Sequence, residues 1–463
     1  MIARDVRSSP ARPTPDRVWL RNAGDGAATL APLFLATLML LPQHHAVAQQ
    51  GAVQRDTVRL GALQAAALDR DPRALQLDLL GSRSALRVAS IDAERLPSLG
   101  ATAQGQYQSD VPTVPFRVPG DASPPIPHDS YDAYVSAQQR LLDPGRAARR
   151  AVERAELAES RAGVRSSLFV VRERVNEAFF SALLLQSEYD EISAGIVALD
   201  ERLQVAAARV GEGTALPGER AMIEAELLRR RQSLDALEYQ RDAALAILGD
   251  LSGRSISGTS MLVAPELGDR VRQARAALNA LRDRPEYAQF ARTRDRLDRQ
   301  EELVSAADQP RVSAFGRAGY GRPGLNPLGN DFDAYWLAGV RVEWMPWNWG
   351  TTDRRREEIA IQQRIVATEE AAFSEGIRRS ALTRLAAIDR LEDTRATDDS
   401  IVSLREQILR EARLRFDEGV ITSAELVDRE SELLAARLAR VAHRVELDEA
   451  RVRFLTLAGI EVR

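Results

Sequence analysis

Residues 209–213 read Arg-Val-Gly-Glu-Gly, and residues 415–419 read Arg-Phe-Asp-Glu-Gly. Each stretch is followed by Glu-x-Glu-Leu-Leu, at 224–228 and 430–434, inside a segment with helical apolar spacing. The echo continues upstream. Asp71-Pro72 and Arg284-Pro285 are each followed, 25 residues after the proline, by a second proline, Pro97 and Pro310, that opens an alternating run. The copies are offset by 213 residues at the prolines and by 206 at the glycine motifs, so they differ mainly in one loop. A unit of about 200 residues is far longer than any solenoid repeat. The chain reads as a duplicated half-protein, an arrangement suited to a pseudosymmetric ring or channel.

The alternating runs have period two. Leu99, Ala101, Ala103, Gly105 and Tyr107 face one way, and Gly100, Thr102, Gln104, Gln106 and Gln108 the other. Tyr131 to Leu141 repeats the pattern, as do Val312 to Tyr320 and Tyr335 to Trp344 in the second copy. Asp110 to Ser130, with six prolines, separates the first two runs as an exposed loop. Four short strands do not cover two faces and two edges by themselves. Small apolar residues opposite polar ones match the wall of a membrane barrel; a small soluble β-subdomain packed on helices is the alternative. Four of the five Trp stand at 336, 344, 347 and 349, near strand ends, which fits an interfacial aromatic belt. Tyr131, Tyr335, Trp336, Trp344 and Trp347 are therefore candidate membrane-interface residues.

After each strand pair comes a turn, Asp143-Pro144-Gly145 or Asn348-Trp349-Gly350, and then about 65 residues without proline. At 1.5 Å per residue such a helix spans roughly 95 Å, a length that coiled-coil packing sustains and propensity alone does not. Returning helices cover Glu219–Gly249 and Ala424–Leu457. The layout is a signal peptide (1–48), N-terminal helices (49–96), a first strand hairpin (97–142) and a first long helical hairpin (143–250). A linker with helices (251–309), a second strand hairpin (310–347) and a second long helical hairpin (348–463) complete it. The expected class is mainly α with a small β part.

Composition narrows the function. Of 463 residues 28% are charged and 5% aromatic, and all 63 basic residues are Arg, a genomic bias in a chain of net charge −4. Nucleic-acid binding would need a clustered basic excess. Arg4, Arg7, Arg12, Arg17 and Arg21 precede the apolar run Leu30–Leu41, which ends at Ala46-Val47-Ala48, an export signal with its cleavage site. With no Cys there are no disulfides and no lipid-bearing N-terminal Cys. The mature chain has no stretch of 18 apolar residues, so any membrane crossing would be by strands. After cleavage His128 and His443 are the remaining histidines, and no P-loop, Gly-x-Ser-x-Gly or His-x-x-x-His motif occurs. No catalysis, metal or cofactor is expected.

In this order of elements the chain resembles the TolC-like outer-membrane efflux family over nearly all of its mature length. The helix–Pro–strand runs at Pro97 and Pro310, the turn glycines Gly145 and Gly350, and the Arg-x-x-x-Gly motifs ending at Gly213 and Gly419 carry the resemblance. It implies a homotrimer whose protomers each give four strands to a twelve-stranded barrel in Gram-negative outer-membrane lipid. The long hairpins would continue the barrel as a periplasmic tunnel. The duct would be passive, coupled to an inner-membrane pump through a periplasmic adaptor. Carried onto this sequence, Arg209, Gly213, Arg415 and Gly419 become adaptor-docking positions. Glu219, Glu425 and Asp428 become acidic rings narrowing the tunnel. Two positions depart from the pattern: Ile421 replaces an arginine of the closing network found in some members, and Phe416 lacks a phenolic hydroxyl. A periplasmic adaptor, or a coiled-coil envelope scaffold that transports nothing, is the competing expectation.

Overall fold

A computed structural model describes residues 57–111, 127–280, 282–326 and 330–462. The signal segment and most of the proline-rich loop fall outside the described residues. The first copy runs β1 (Thr57–Arg59), α1 (Leu60–Arg70), α2 (Gln76–Ala93), β2 (Ser98–Tyr107), β3 (Asp129–Leu142), α3 (Pro144–Gly211) and α4 (Pro217–Ser252). The second runs β4 (Met261–Val263), α5 (Gly268–Ala276), α6 (Pro285–Ala306), β5 (Arg311–Arg322), β6 (Asp333–Glu343), α7 (Thr351–Asp417) and α8 (Ser423–Leu457). The expected fold class, mainly α with a small β part, is the one observed.

The break between α1 and α2 is a single 3-10 turn, Pro72–Leu75. Asp71 caps it by accepting from the Arg73 amide at 2.9 Å, and the Arg73 guanidinium closes on the same carboxylate at 2.8 Å. The side-chain hydrogen bond from Arg73 holds the Asp71 pKa at about 2, against a smaller upward push from burial.

Two local expectations are corrected. Asp143-Pro144-Gly145 is no turn: α3 begins at Pro144, where the missing N–H is one the first helical turn leaves unpaired anyway, and Gly145 is buried inside that turn. The linker also holds a strand. β4 pairs in parallel with β1, Val58 opposite Leu262, and Gln186 of α3 clasps Leu262 through its amide and carbonyl. Three-residue strands carry too little alternation to be read from sequence.

α3 has 68 residues and α7 has 67, each about 100 Å at 1.5 Å per residue. α4 and α8 return antiparallel along them. The main core gathers where the two copies meet, around Leu63, Val175, Phe179, Phe180, Leu248 and Phe454. A buried polar relay crosses it: Gln64 donates to Asn176 at 2.6 Å, and Asn176 donates to Thr456 at 3.0 Å, tying α1, α3 and α8. Away from the core the helices share thin seams, Leu199, Ile223 and Leu227 in one hairpin and Val402, Leu409 and Leu433 in the other. Arg–carboxylate pairs such as Arg405–Glu432, Arg437–Glu406 and Arg231–Asp200 line the outside, each worth about 0–1 kcal/mol. Register is therefore set by the apolar seam, with the ion pairs as a weak correction.

Candidate functional site

The four long strands form one antiparallel sheet in the order β2-β3-β5-β6. Its register sorts side chains cleanly by face. Ala101, Val135, Ala318 and Trp336 stand in one row, and Leu99, Ala137, Gly316 and Ala338 in another. With Val340, Val342 and Tyr320 they make a continuous apolar face that lies open, Val135 at 58% and Val340 at 64% exposure. Thr102, Tyr134, Gly319 and Tyr335 form a row of the opposite face, and Ser136, Arg317 and Leu337 the next. A period of two leaves no choice once the register is fixed. Tyr335, expected at the membrane interface, is thus on the polar face, where its hydroxyl donates to Asp132 at 2.5 Å. β2 and β6 each keep one edge unpaired within the described residues.

The remaining aromatics fall at two levels. Tyr131, Tyr320 and Phe332 stand at the loop end, with Phe332 stacked on both tyrosines, and Trp336 lies one row further in, level with Val135. Trp344, Trp347 and Trp349 stand at the helix end, and all three are exposed. There Trp344 donates to the Asp308 carbonyl at 3.1 Å, while Asn348 and Thr352 both bond the Asp308 carboxylate. That network fixes the passage from strand to helix in the second copy. In the first, Arg149 bridges Asp143 at 2.6 Å and Glu94 at 2.7 Å.

At the far end of the hairpins the two Arg-x-x-x-Gly motifs fold alike. Thr214 N–H bonds the Arg209 carbonyl and Gly213 N–H the Val210 carbonyl; Val420 and Gly419 repeat this onto Arg415 and Phe416. These are Schellman closures, with glycine at φ +71° and +75° in the left-handed region. Both glycines face open space, with no atom within 4 Å of where a Cβ would stand. Arg209 and Phe416 join the copies: the guanidinium sits 5.7 Å from the ring centroid. Leu216 and Val420 lie exposed beside them.

Of the three acidic candidates, Glu219 is engaged, 3.9 Å from Arg209, on the wall of a cavity of about 220 Å³ between the hairpin tips. Glu425 and Asp428 are exposed, one helical turn apart, and form no ion pair among the described residues. Beneath the tips lie charges that sequence reasoning did not single out. Glu430 binds Arg202 at 2.6 Å and Arg413 at 3.4 Å, joining α8 to α3 and α7. Burial pulls the Arg202 pKa down, with Glu430 acting in the opposite sense. Buried Arg230 bonds Glu226 at 2.8 Å and reaches Gly195 and Ser431 at 3.5 Å. Glu430 and Glu226 both lie in the duplicated Glu-x-Glu-Leu-Leu motif, which was the available signal. The histidines are far apart in the chain and in the fold: His128 stacks on Tyr107, and His443 bonds Asp398 at 2.7 Å between α7 and α8.

The helical spans include none long and apolar enough to cross a membrane, among the described residues. A β-sheet with one open apolar face, mounted on paired 100 Å helical hairpins, has counterparts among solved structures. The chain matches CusC, described for its folding and transmembrane channel formation, over 93% of this chain and 99% of that one, with TM-score 0.60 and 15% identity. The open state of the MtrE outer-membrane channel of Neisseria gonorrhoeae matches over 88% and 90%, with TM-score 0.58 and 18% identity. The fold is that of the TolC-like outer-membrane channels. The outer-membrane protein VceC of Vibrio cholerae adds a third case, 87% and 97% covered, TM-score 0.55, 16% identity. No protein-family model and no curated protein matches the sequence. The channel fold is thus seen in the arrangement of elements, at an identity where sequence comparison finds no relative.

Proposed function

We propose that the chain is the outer-membrane exit duct of an export system, a passive conduit fed by an inner-membrane pump through a periplasmic adaptor. The observation that carries this is the four-stranded sheet with one apolar exposed face, one polar face and two open edges. An isolated sheet of this kind would expose both lipid-type surface and unpaired backbone. Three copies, β6 of each against β2 of the next, close twelve strands and remove every edge. The apolar face then meets lipid and the polar face lines the lumen. The hairpins extend the lumen through the periplasm. A soluble scaffold would have no use for the open valines and tryptophans.

At the tips Gly213 and Gly419, with Arg209 and Arg415, form the adaptor-docking positions. Their open surroundings give a partner's helical hairpin close access to the backbone. Glu425 and Asp428 face the tunnel as a ring of carboxylates in the trimer, favouring cations there. Glu219 belongs to the wall between hairpins through its pairing with Arg209. The chain carries no nucleotide-binding motif, so the energy for export comes from its partners.

The test is fractionation followed by native mass spectrometry. The protein, expressed with its own signal in a Gram-negative host, is expected in the outer membrane as a three-copy complex. A monomer, or an inner-membrane or soluble species, overturns the duct.

A further inference from the structure

The polar face of the sheet carries two arginines built in the same unusual way. Arg317, midway along β5, has its guanidinium 5.3 Å from the Tyr134 ring and 5.5 Å from the Tyr335 ring. Between those tyrosines stands Gly319, whose missing side chain makes the room: a Cβ there would lie 2.6 Å from the Tyr134 Cβ and 2.9 Å from the Tyr335 hydroxyl. Arg341 of β6 repeats the device. Its guanidinium lies 5.1 Å from the Phe315 ring, and that ring covers Gly339, where a Cβ would meet it at 2.9 Å. In each case a glycine lets aromatic rings lie down on the sheet, and the rings become a floor that holds a guanidinium in place.

Neither arginine is neutralised. Half-buried Arg317 and exposed Arg341 form no ion pair among the described residues, and the Arg317 Nε is buried without a hydrogen-bond partner. The carboxylates on the same face are otherwise placed. Asp132 receives the Tyr335 hydroxyl, Asp333 stands opposite Gly321 at the loop end, and Glu343 stands opposite Arg311 at the helix end. A fixed guanidinium whose N–H edges are unspent is a receptor for oxyanions, two of whose oxygens can accept its parallel N–H bonds.

We propose that Arg317 and Arg341 form an anion-binding lining inside the barrel, taking permeants that carry carboxylate, sulfate or phosphate groups. This rests on the trimeric duct, in which three protomers place six such guanidinium groups around one lumen. The barrel then selects in the sense opposite to the acidic ring at the tips, so that a permeant with both charges finds a complementary station at each end.

The test titrates the detergent-purified protein calorimetrically with inorganic pyrophosphate at low salt, with native mass spectrometry on the same sample. The wild type binds, and the R317Q/R341Q double variant binds at least tenfold more weakly. A second variant needs no arginine removed: Ser136 is the register partner of Arg317, so Ser136→Asp places a carboxylate beside it and produces the same loss. Equal affinity in wild type and in an assembled variant overturns the proposal, as does a wild type that binds no pyrophosphate. If such a sample still weighs three copies, the duct stands and the anion lining alone is wrong; single copies sink both.

Discussion

Replacing Gly419 by arginine separates the proposed docking role of the tips from their role in folding. The residue sits at φ +75°, so any side chain pays about 1–2 kcal/mol of left-handed strain. No packing cost follows, since nothing lies within 4 Å of the new Cβ. The two backbone bonds that close the turn, Val420 N–H to Arg415 and Gly419 N–H to Phe416, remain. A cation just past a helix C-terminus recovers about 0.3–1 kcal/mol from the macrodipole. The net penalty is about 1 kcal/mol, small beside the stability of a folded domain. Gly419→Arg is therefore expected to assemble normally while a bulky cation blocks the approach of a partner hairpin.

The natural absence of cysteine supplies the assay. A single Cys at Leu216, exposed at the neighbouring turn, is cross-linked in intact cells to its periplasmic partner, which is identified by mass spectrometry. The expected partner is a helical-hairpin adaptor, and Gly419→Arg lowers the cross-link at least tenfold, equivalent to about 1.4 kcal/mol of binding. Gly376→Arg is the control, since that glycine also faces open space but lies within α7. If Gly419→Arg cross-links as the wild type does, the tips do not dock the adaptor.

Three further outcomes follow from the same geometry. Gly459 also sits in the left-handed region, at φ +84°, but its Cβ would lie 2.6 Å from the Arg284 backbone nitrogen; Gly459→Ala should cost about 3 kcal/mol and Gly213→Ala about 1, read as thermal midpoints. Val135→Arg, in the centre of the apolar face, should cost about 2–4 kcal/mol in lipid and lower barrel assembly in the outer membrane, whereas Ser136→Arg on the opposite face should be tolerated; equal effects would refute the face assignment. Asp71 has a folded pKa of about 2, below its unfolded value near 4, so its contribution is present above pH 4 and lost as pH falls toward 2. Asp71→Asn keeps the cap but should remove that part of the acid dependence of the unfolding midpoint, and an unchanged profile would refute the ion pair.

What was legible in the sequence and what was not divide along the range of the signal. The long helices and strands announce themselves because one period persists over many residues, and duplication doubles each observation: the Gly213 turn could be checked against Gly419. Where the period is short, nothing is announced. β1 and β4 have three residues each, and only their contact across the chain makes them strands. Pro144 read as a turn because proline and glycine together usually mark one, while at helix position N1 the proline fits as well.

The site was legible by face and illegible by pairing. Alternation shows that Arg317 and Tyr335 share a side of the sheet only after the register is known, and a one-residue slip would turn Tyr335 to the apolar face and Trp336 to the polar one. The same limit hid the Arg209–Glu219 contact, because residues on opposite arms of a turn meet through the geometry of the closure rather than by spacing. Duplication sharpens the point. Glu224 and Glu430 are equivalent in sequence, yet only Glu430 is drawn between two arginines, since α8 lies against both α3 and α7 while Glu224 points out to Arg220. Two copies of one motif thus make different ion pairs, and that asymmetry arises from packing two near-identical hairpins side by side rather than from any change in the motif itself.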